Sequence, residues 1–369
     1  MQNTVAAIPS DSSLRIYRAL FDNTDTLWPG EAADYLREQL RAAAGLADGP
    51  SVHYDGLADW CAADADAASD AYHAYLAARE DGAPRRHFGT PAQACQFLSA
   101  VAPARLCDGA SLYGMIERWD DIDFQPLVAS YLEQLGYGVP ERNHLLRYRV
   151  LLATHHCEPT REPDDEACRG AAVELALAQQ GEHFLPELLG YNLARQQPSA
   201  ALLVARHELA ELGLQPDAFA TDSAAAGSAP SALLALRGVM QRVGDGAAFY
   251  RRVGDGVRLQ RLVADVPLPQ AGPGPQPAPT PWRTPEPPAA APEPVRATRE
   301  RPVIRHHFPA DEHAWEAIGC ELRLLEARLA ASDSKEEAMG TLAKLLSPAQ
   351  QHTPAGLMAA RIFSQLFNL

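Results

Sequence analysis

Residues 124–153, FQPLVASYLEQLGYGVPERNHLLRYRVLLA, contain the pattern that decides the predicted fold class. Apolar residues recur at steps of three and four positions, as at Leu145 and Tyr148, which is typical of an amphipathic helix. The glycine- and proline-containing segment 136–140 ends the first helix, and Asn143 is well suited to cap the N-terminus of the second. The stretch therefore predicts two helices joined by a short turn.

The same helical periodicity extends from about residue 12 to residue 262, and strand signals are almost absent. Pro186 falls where the first turn of a helix tolerates proline, just ahead of another apolar run. These features predict an all-α, multi-helix bundle, which we assign to a domain spanning residues 1–262.

Proline dominates the region that follows this domain. Thirteen of the 30 prolines lie between Pro267 and Pro302, where no packed helix or sheet can form. We interpret residues 263–302 as a Pro-rich linker, and a docking role for this tract, aided by Trp282, is the alternative. Residues 303–369 return to a helical pattern and end in an apolar stripe, so they are predicted to form a C-terminal helical segment. That stripe needs a surface, which either the main domain or a protein partner, including a second copy in a homodimer, would supply.

The chain of 369 residues carries a net charge of −15, with 32 basic against 47 acidic residues. Such a chain is repelled by nucleic acids and by anionic membranes unless it has a strong basic patch, and the sequence shows none. No stretch approaches the roughly 20 apolar residues of a membrane helix, and the N-terminus lacks a signal-peptide pattern. We therefore expect a cytoplasmic protein that binds neither nucleic acid nor membrane. The six cysteines show no CxxC spacing and are predicted to be reduced thiols.

The signatures of several large enzyme classes are missing from the sequence, namely the phosphate-binding P-loop, the GxGxxG turn, the GxSxG elbow and the HExxH helix. Acidic residues and histidines inside apolar helices are more informative, because a buried carboxylate is costly unless it is paired, hydrogen-bonded or bound to a cation. Helical bundles use such residues to hold di-iron and di-manganese centres. The candidates are Asp108, Glu133, His144, Glu187, Glu208 and Asp222.

Three runs of the sequence resemble, in the same order and spacing, the heme-oxygenase-like diiron oxidases, a family also described as iron-containing redox enzymes. The runs are PRRHFGTPAQACQFLSAVAPARLCDGASLYG (84–114), the stretch 124–153 and HFLPELLGYNLARQQPSAALLVARHELAELGLQPDAF (183–219). The resemblance covers about residues 12–262 and implies a seven-helix, heme-oxygenase-like bundle that binds no heme and holds a pair of nonheme iron ions. It also implies activation of dioxygen and oxidation of amino-acid or fatty-acid substrates in biosynthetic pathways.

The resemblance implies metal ligands at Asp108, His144, Glu187 and Asp222. Two further family positions have changed, because Gln134 stands where the family has a glutamate and Ala226 where it has an aspartate. An amide brings no charge to offset a cation and is a poor iron ligand. The neighbouring Glu133 is displaced by about 100° around a helix. No histidine lies between His207 and His306, so the imidazole expected in the last ligand helix is missing.

Two functions are compatible with this incomplete ligand set. One is a degenerate, pseudoenzyme-like member that keeps the bundle without redox chemistry and binds a small molecule or a protein partner. The alternative is an iron-dependent oxidoreductase that acts on an amino-acid- or fatty-acid-like small molecule. A third, unrelated chemistry would use His183 and Glu187, one helical turn apart, as an acid/base pair. Whether the four ligand candidates converge in space separates these hypotheses.

Overall fold

The structure of the protein is a computed structural model. It describes residues 12–46, 49–50, 53–157, 163–214, 219, 230–264, 268–271 and 312–367. Helices are the regular elements of these ranges, and the predicted all-α fold class is confirmed. The α-helices are α1 Ser12–Tyr17, α2 Glu31–Ala43, α3 Leu57–Glu80, α4 Pro91–Ala100, α5 Ala102–Leu106, α6 Gln125–Gln134, α7 His144–Thr154, α8 Asp165–Gln180, α9 Leu185–Arg195, α10 Ala200–Glu211, α11 Ser231–Arg242, α12 Gly246–Ala264, α13 Glu312–Ala330, α14 Lys335–Leu345 and α15 Pro354–Phe367. A π-helical turn, Arg18–Asp22, follows α1, and a 3₁₀ helix, Ala110–Arg118, lies between α5 and α6.

The turn between α6 and α7 has the form that the sequence predicts. Gly136 and Gly138 have φ angles of 63° and 75°, a left-handed conformation that glycine adopts without strain. The side chain of Asn143 accepts a hydrogen bond from the backbone N–H of Leu146 at 3.1 Å and so caps α7.

Helix α9 lies at the centre of the bundle, with residues 186–194 all buried. A helix that is buried on every face needs neighbours on every side, and α9 packs against α11, α12 and the 3₁₀ helix. The contact with α12 is very close because glycines face it from both helices. A Cβ atom at Gly190 would overlap the backbone of Val253, and one at Gly256 would overlap the backbone of Glu187.

The three C-terminal helices pack on the main domain. Leu342, Leu346 and Phe363 are fully buried in the same apolar core as the central helices. The hydroxyl group of Tyr131 in α6 donates a hydrogen bond to the carbonyl oxygen of Leu346 at 2.5 Å. Helix α15 lies against the α6–α7 turn at Gly138, where a Cβ atom would overlap the backbone of α15. The main domain therefore supplies a surface for the apolar stripe.

Most of the predicted linker, residues 263–302, lies outside the described residues, as does Trp282. The domain boundaries at residues 262 and 302 therefore stay predictions. Within the described ranges, none of the helices combines the length and the apolar character that crossing a membrane requires.

Two of the six cysteines form a disulfide, so the prediction of six reduced thiols is wrong for this pair. Cys95 in α4 is bonded to Cys157, which follows α7, and 62 positions separate them in the sequence. Because no local motif links them, only the packing of α4 against α7 brings them together. Disulfides are rare in the cytosol, and the predicted cytoplasmic location stays a prediction.

The close contact between α9 and α12 predicts a large effect of a single methyl group. Gly190→Ala should lower the free energy of unfolding by about 1–3 kcal/mol, because the new Cβ atom meets rigid backbone. Gly340→Ala in α14 is the matched control, since a Cβ atom there meets no other atom within 4 Å. The control should raise the free energy of unfolding by up to about 1 kcal/mol through helix propensity. Urea unfolding of both variants checks this, and equal effects would contradict the packing described.

Candidate metal centre

Asp108 lies in the turn between α5 and the 3₁₀ helix, with its side chain 19% exposed. Its Oδ1 atom accepts a hydrogen bond from Nη1 of Arg195 at 3.0 Å, and its Oδ2 atom lies 3.3 Å from Nη1 of Arg105. Burial on its own would raise the pKa of Asp108, but the two guanidinium groups outweigh burial and hold that pKa below its usual value. Asp108 is therefore an ion-paired carboxylate.

Arg195, the last residue of α9, is the centre of this group of side chains, and its own side chain is 12% exposed. Besides Asp108, its Nε atom lies 3.8 Å from Oε1 of Glu174 and donates a hydrogen bond to Oδ1 of Asn192 at 3.3 Å. Burial lowers the pKa of Arg195, but the carboxylates of Glu174 and Asp108 outweigh burial and raise that pKa above its usual value. A permanent positive charge thus lies between two carboxylates, that of Glu174, which is buried, and that of Asp108, which is partly buried.

Glu174 occupies the middle of α8, and its side chain is 6% exposed. Its Oε2 atom accepts a hydrogen bond from the backbone N–H of Ser111 at 2.8 Å. Burial raises the pKa of Glu174, and Arg195 only partly offsets this. The sequence analysis missed Glu174, although a lone carboxylate within AAVELALA, a run apolar on every helical face, signals a buried acid.

Gln134, which stands where the resemblance implies a glutamate ligand, closes the group at the end of α6. With the amide oriented by its hydrogen bonds, its oxygen accepts from Nη2 of Arg195 at 3.0 Å and its nitrogen donates to the carbonyl oxygen of Asp108 at 3.3 Å. The neighbouring residue, Gly109, has a φ angle of 80°, a left-handed conformation that favours glycine, and the Gln134 side chain occupies the space that a Cβ atom would take there. The amide oxygen of Gln134 therefore serves as a hydrogen-bond acceptor for the guanidinium group of Arg195.

His144 begins α7 beside the same group. Burial lowers the pKa of His144, while the nearby carboxylate of Asp108 raises it and Arg147 and Arg195 lower it. Its Nδ1 atom is buried and has no hydrogen-bond partner within the described part of the chain. The structure therefore brings two of the four predicted ligands, Asp108 and His144, close enough to interact electrostatically.

Glu187 is engaged elsewhere. It lies in the first turn of α9, eight residues before Arg195 and so about 12 Å away along the helix axis. Its two carboxylate oxygens accept hydrogen bonds from Nε and Nη2 of Arg252 in α12, at 2.6 and 2.7 Å. The ion pair with Arg252 also argues against the acid/base role suggested for Glu187 with His183, because both carboxylate oxygens of Glu187 already accept hydrogen bonds from Arg252. Asp222 and Ala226 lie outside the described residues.

The two remaining acidic candidates are Glu208 and Glu133. Glu208 is fully buried, and it accepts hydrogen bonds from the backbone N–H groups of His87 and Phe88 and from the hydroxyl group of Tyr75. It therefore fixes the loop before α4 onto α10. Glu133 is exposed on α6.

These residues do not fit a pair of iron ions. Carboxylate-bridged metal centres in bundles need several acidic and histidine side chains aimed at a common point. Among the described residues, no group of three or more His, Cys, Asp or Glu side chains is arranged to hold a metal ion. Asp108 and Glu174 surround the guanidinium of Arg195 instead, and the amides of Gln134 and Asn192 complete its surroundings. The metal ligand set implied by the resemblance stays a prediction.

A comparison with models of known protein families finds a match for the segment that contains these residues. Residues 95–220 match the family model described as iron-containing redox enzyme. This segment is therefore similar to the iron-containing redox enzyme family. The predicted resemblance is therefore confirmed over residues 95–220 of the predicted range 12–262, and this matched segment contains Asp108, Gln134, His144, Glu174 and Arg195. No curated protein and no solved structure matches the chain.

The Glu187–Arg252 pair predicts a measurable coupling that needs no metal. In a double-mutant cycle with Glu187→Gln and Arg252→Gln, the coupling energy should be about 1–3 kcal/mol, because the pair is bidentate and its carboxylate is buried. Thermal or urea unfolding with and without a chelator measures it. A coupling near zero, or one that appears only when ferrous iron is present, would contradict the ion-pair assignment.

Proposed function

We propose that this protein uses the fold of the iron-containing redox enzyme family as a pseudoenzyme-like binding or accessory protein, and that it works with neither a heme nor a nonheme iron pair. The observation that carries the proposal is the position of Arg195, whose guanidinium lies between the carboxylates of Asp108 and Glu174. What it binds, on this proposal, is a small molecule or a protein partner.

The charge of Arg195 is the first argument. The carboxylates of Asp108 and Glu174 attract a cation, and here the chain itself supplies one. A divalent ion about 4 Å from a guanidinium would be repelled by roughly 8 kcal/mol at an effective dielectric constant of about 20. Binding of iron would therefore require Arg195 to leave a site in which three side-chain oxygens accept its hydrogen bonds.

The neutral side chains around Arg195 are the second argument. Gln134 and Asn192 offer amide oxygens, which satisfy N–H donors without adding negative charge. Carboxylates at these positions would suit a metal, whereas amides suit a guanidinium whose charge is already balanced. The two arguments are independent, because the first concerns the charge of Arg195 and the second the neutral side chains of Gln134 and Asn192.

One observation favours the alternative, an iron-dependent oxidoreductase acting on an amino-acid- or fatty-acid-like small molecule. The Nδ1 atom of His144 is buried near Asp108 and has no hydrogen-bond partner among the residues that the structure describes, as expected of an imidazole that awaits a ligand. The iron content of the protein separates the two functions.

Anaerobic loading with ferrous iron, followed by desalting and elemental analysis, tests the proposal on wild type and on His144→Ala. Both should retain less than about 0.1 iron per chain, and dioxygen consumption should equal that of buffer, because Arg195 occupies the centre of the ligand set. A circular dichroism melt confirms that each sample is folded. About one or two iron ions per wild-type chain, lost in His144→Ala, would overturn the proposal in favour of the oxidoreductase.

A further inference from the structure

We propose that the loop before α4, residues 85–88, is a docking surface for an extended, proline-containing peptide segment of a partner protein, and that residues 268–271 of this chain cover it. We call residues 85–88 the docking loop. The inference rests on the proposed function, since it takes the protein to be one that binds a partner, and it names the chemistry of the segment bound. The docking loop shares no residue with the group around Arg195.

Glu208 of α10 fixes the shape of the docking loop. Its buried carboxylate accepts hydrogen bonds from the backbone N–H groups of Arg86, His87 and Phe88. Arg85, which is also buried, closes the loop by donating a hydrogen bond from Nε to the carbonyl oxygen of Phe88 at 2.8 Å. A surface that is ordered before its ligand arrives loses little conformational entropy on binding.

Two hydrogen bonds join residues 268–271 to the docking loop. The backbone N–H of Ala271 donates to the carbonyl oxygen of Arg86 at 2.9 Å. The carbonyl oxygen of Pro269 lies 3.2 Å from Nδ1 of His87, and because a carbonyl oxygen only accepts, Nδ1 carries the proton. Nε2 of His87 is buried and has no hydrogen-bond partner within the described ranges, which agrees with an unprotonated nitrogen there. His87 is therefore a fixed donor for a peptide carbonyl group.

The side chains of residues 268–271 define the peptide that fits the docking loop. Leu268 packs, half-buried, against the apolar cluster that contains Phe88, whereas Gln270 is exposed. Pro269 has no N–H group that would need a partner, and it biases the preceding residue toward extended backbone. Ala271 is small and half-buried. The pattern is thus leucine, proline, a polar residue and a small residue, recognised through backbone and apolar contacts together.

Few contacts hold the chain's own segment in place. Two hydrogen bonds and one half-buried leucine are a small set, of the kind that opens locally while the rest of a protein stays folded. The segment belongs to the same chain, so its effective concentration at the docking loop is on the order of millimolar. A separate peptide with the same pattern therefore competes poorly with the wild-type segment and binds well once that segment is released.

The test uses a synthetic peptide of residues 266–272, VPLPQAG, titrated into ¹⁵N-labelled full-length protein and followed by amide chemical shifts. Leu268→Asp combined with Ala271→Pro in the protein removes the apolar contact and the N–H donor, so the docking loop becomes vacant. This vacated variant should bind the peptide at least about tenfold more tightly than wild type, with the largest shifts in the docking loop. Ala271→Pro alone, which removes a single hydrogen bond, should change the affinity in the same direction and replaces the double variant should that not fold.

Gln270→Asp is the matched control. It places the same charge in the same segment, but at the exposed position, so the segment should stay docked and peptide binding should equal that of wild type. Tightening by Gln270→Asp as large as that of the vacated variant would overturn the inference, because added charge alone would then explain it.

A second pair of variants tests the assigned donor. In the vacated variant, His87→Asn keeps an N–H donor close to the position of Nδ1 and should retain peptide binding, whereas His87→Leu should weaken it by at least about threefold, since one hydrogen bond is lost. Equal binding by the two would contradict recognition of the proline carbonyl group by His87.

The outcomes separate this inference from the proposed function. If the vacated variant is folded by circular dichroism and binds the peptide no more tightly than wild type, or binds a scrambled peptide equally well, the docking surface is refuted and the proposed function stands on iron content. If wild type retains iron after anaerobic loading while the vacated variant binds the peptide, the proposed function fails and the docking surface stands.

Discussion

The charge of Arg195, whose side chain is only 12% exposed, is the constraint around which the centre of the bundle is arranged. Its partners come from separate elements, with Asp108 in the turn after α5, Gln134 at the end of α6 and Glu174 in the middle of α8. Removal of one member of such a buried group typically costs about 3–5 kcal/mol, because an uncompensated charge remains. The electrostatic group therefore fixes how these helices approach α9, whose last residue supplies the guanidinium.

Close backbone packing supports the same region. Gly190 and Gly256 bring α9 and α12 together, so the helix that ends in Arg195 is held along its length. Helix α15 covers the turn between Gln134 and His144 at Gly138. The C-terminal segment thus contributes to the core and to the position of two residues of the candidate centre, although the sequence between it and the main domain is rich in proline.

Local chemistry made part of this structure predictable. Helical periodicity gave the all-α class, and the Asn143 cap appears as expected because capping depends on neighbouring backbone groups alone. The sequence pattern could not predict which side chains are partners when they lie far apart along the chain. Glu174 and Arg195 each look like single charged residues in a helix, and Glu187 looked equivalent until Arg252, which lies 65 positions further along the chain, proved to be its partner. The Cys95–Cys157 disulfide was missed for the same reason.

The most direct test of the account is a crystal structure of the wild-type protein soaked anaerobically in ferrous iron, with an anomalous difference map at the iron absorption edge. The account predicts continuous guanidinium density between Asp108 and Glu174 and no anomalous peak among Asp108, Glu174 and His144. An anomalous peak there, with the Arg195 side chain displaced from the two carboxylates, would contradict it.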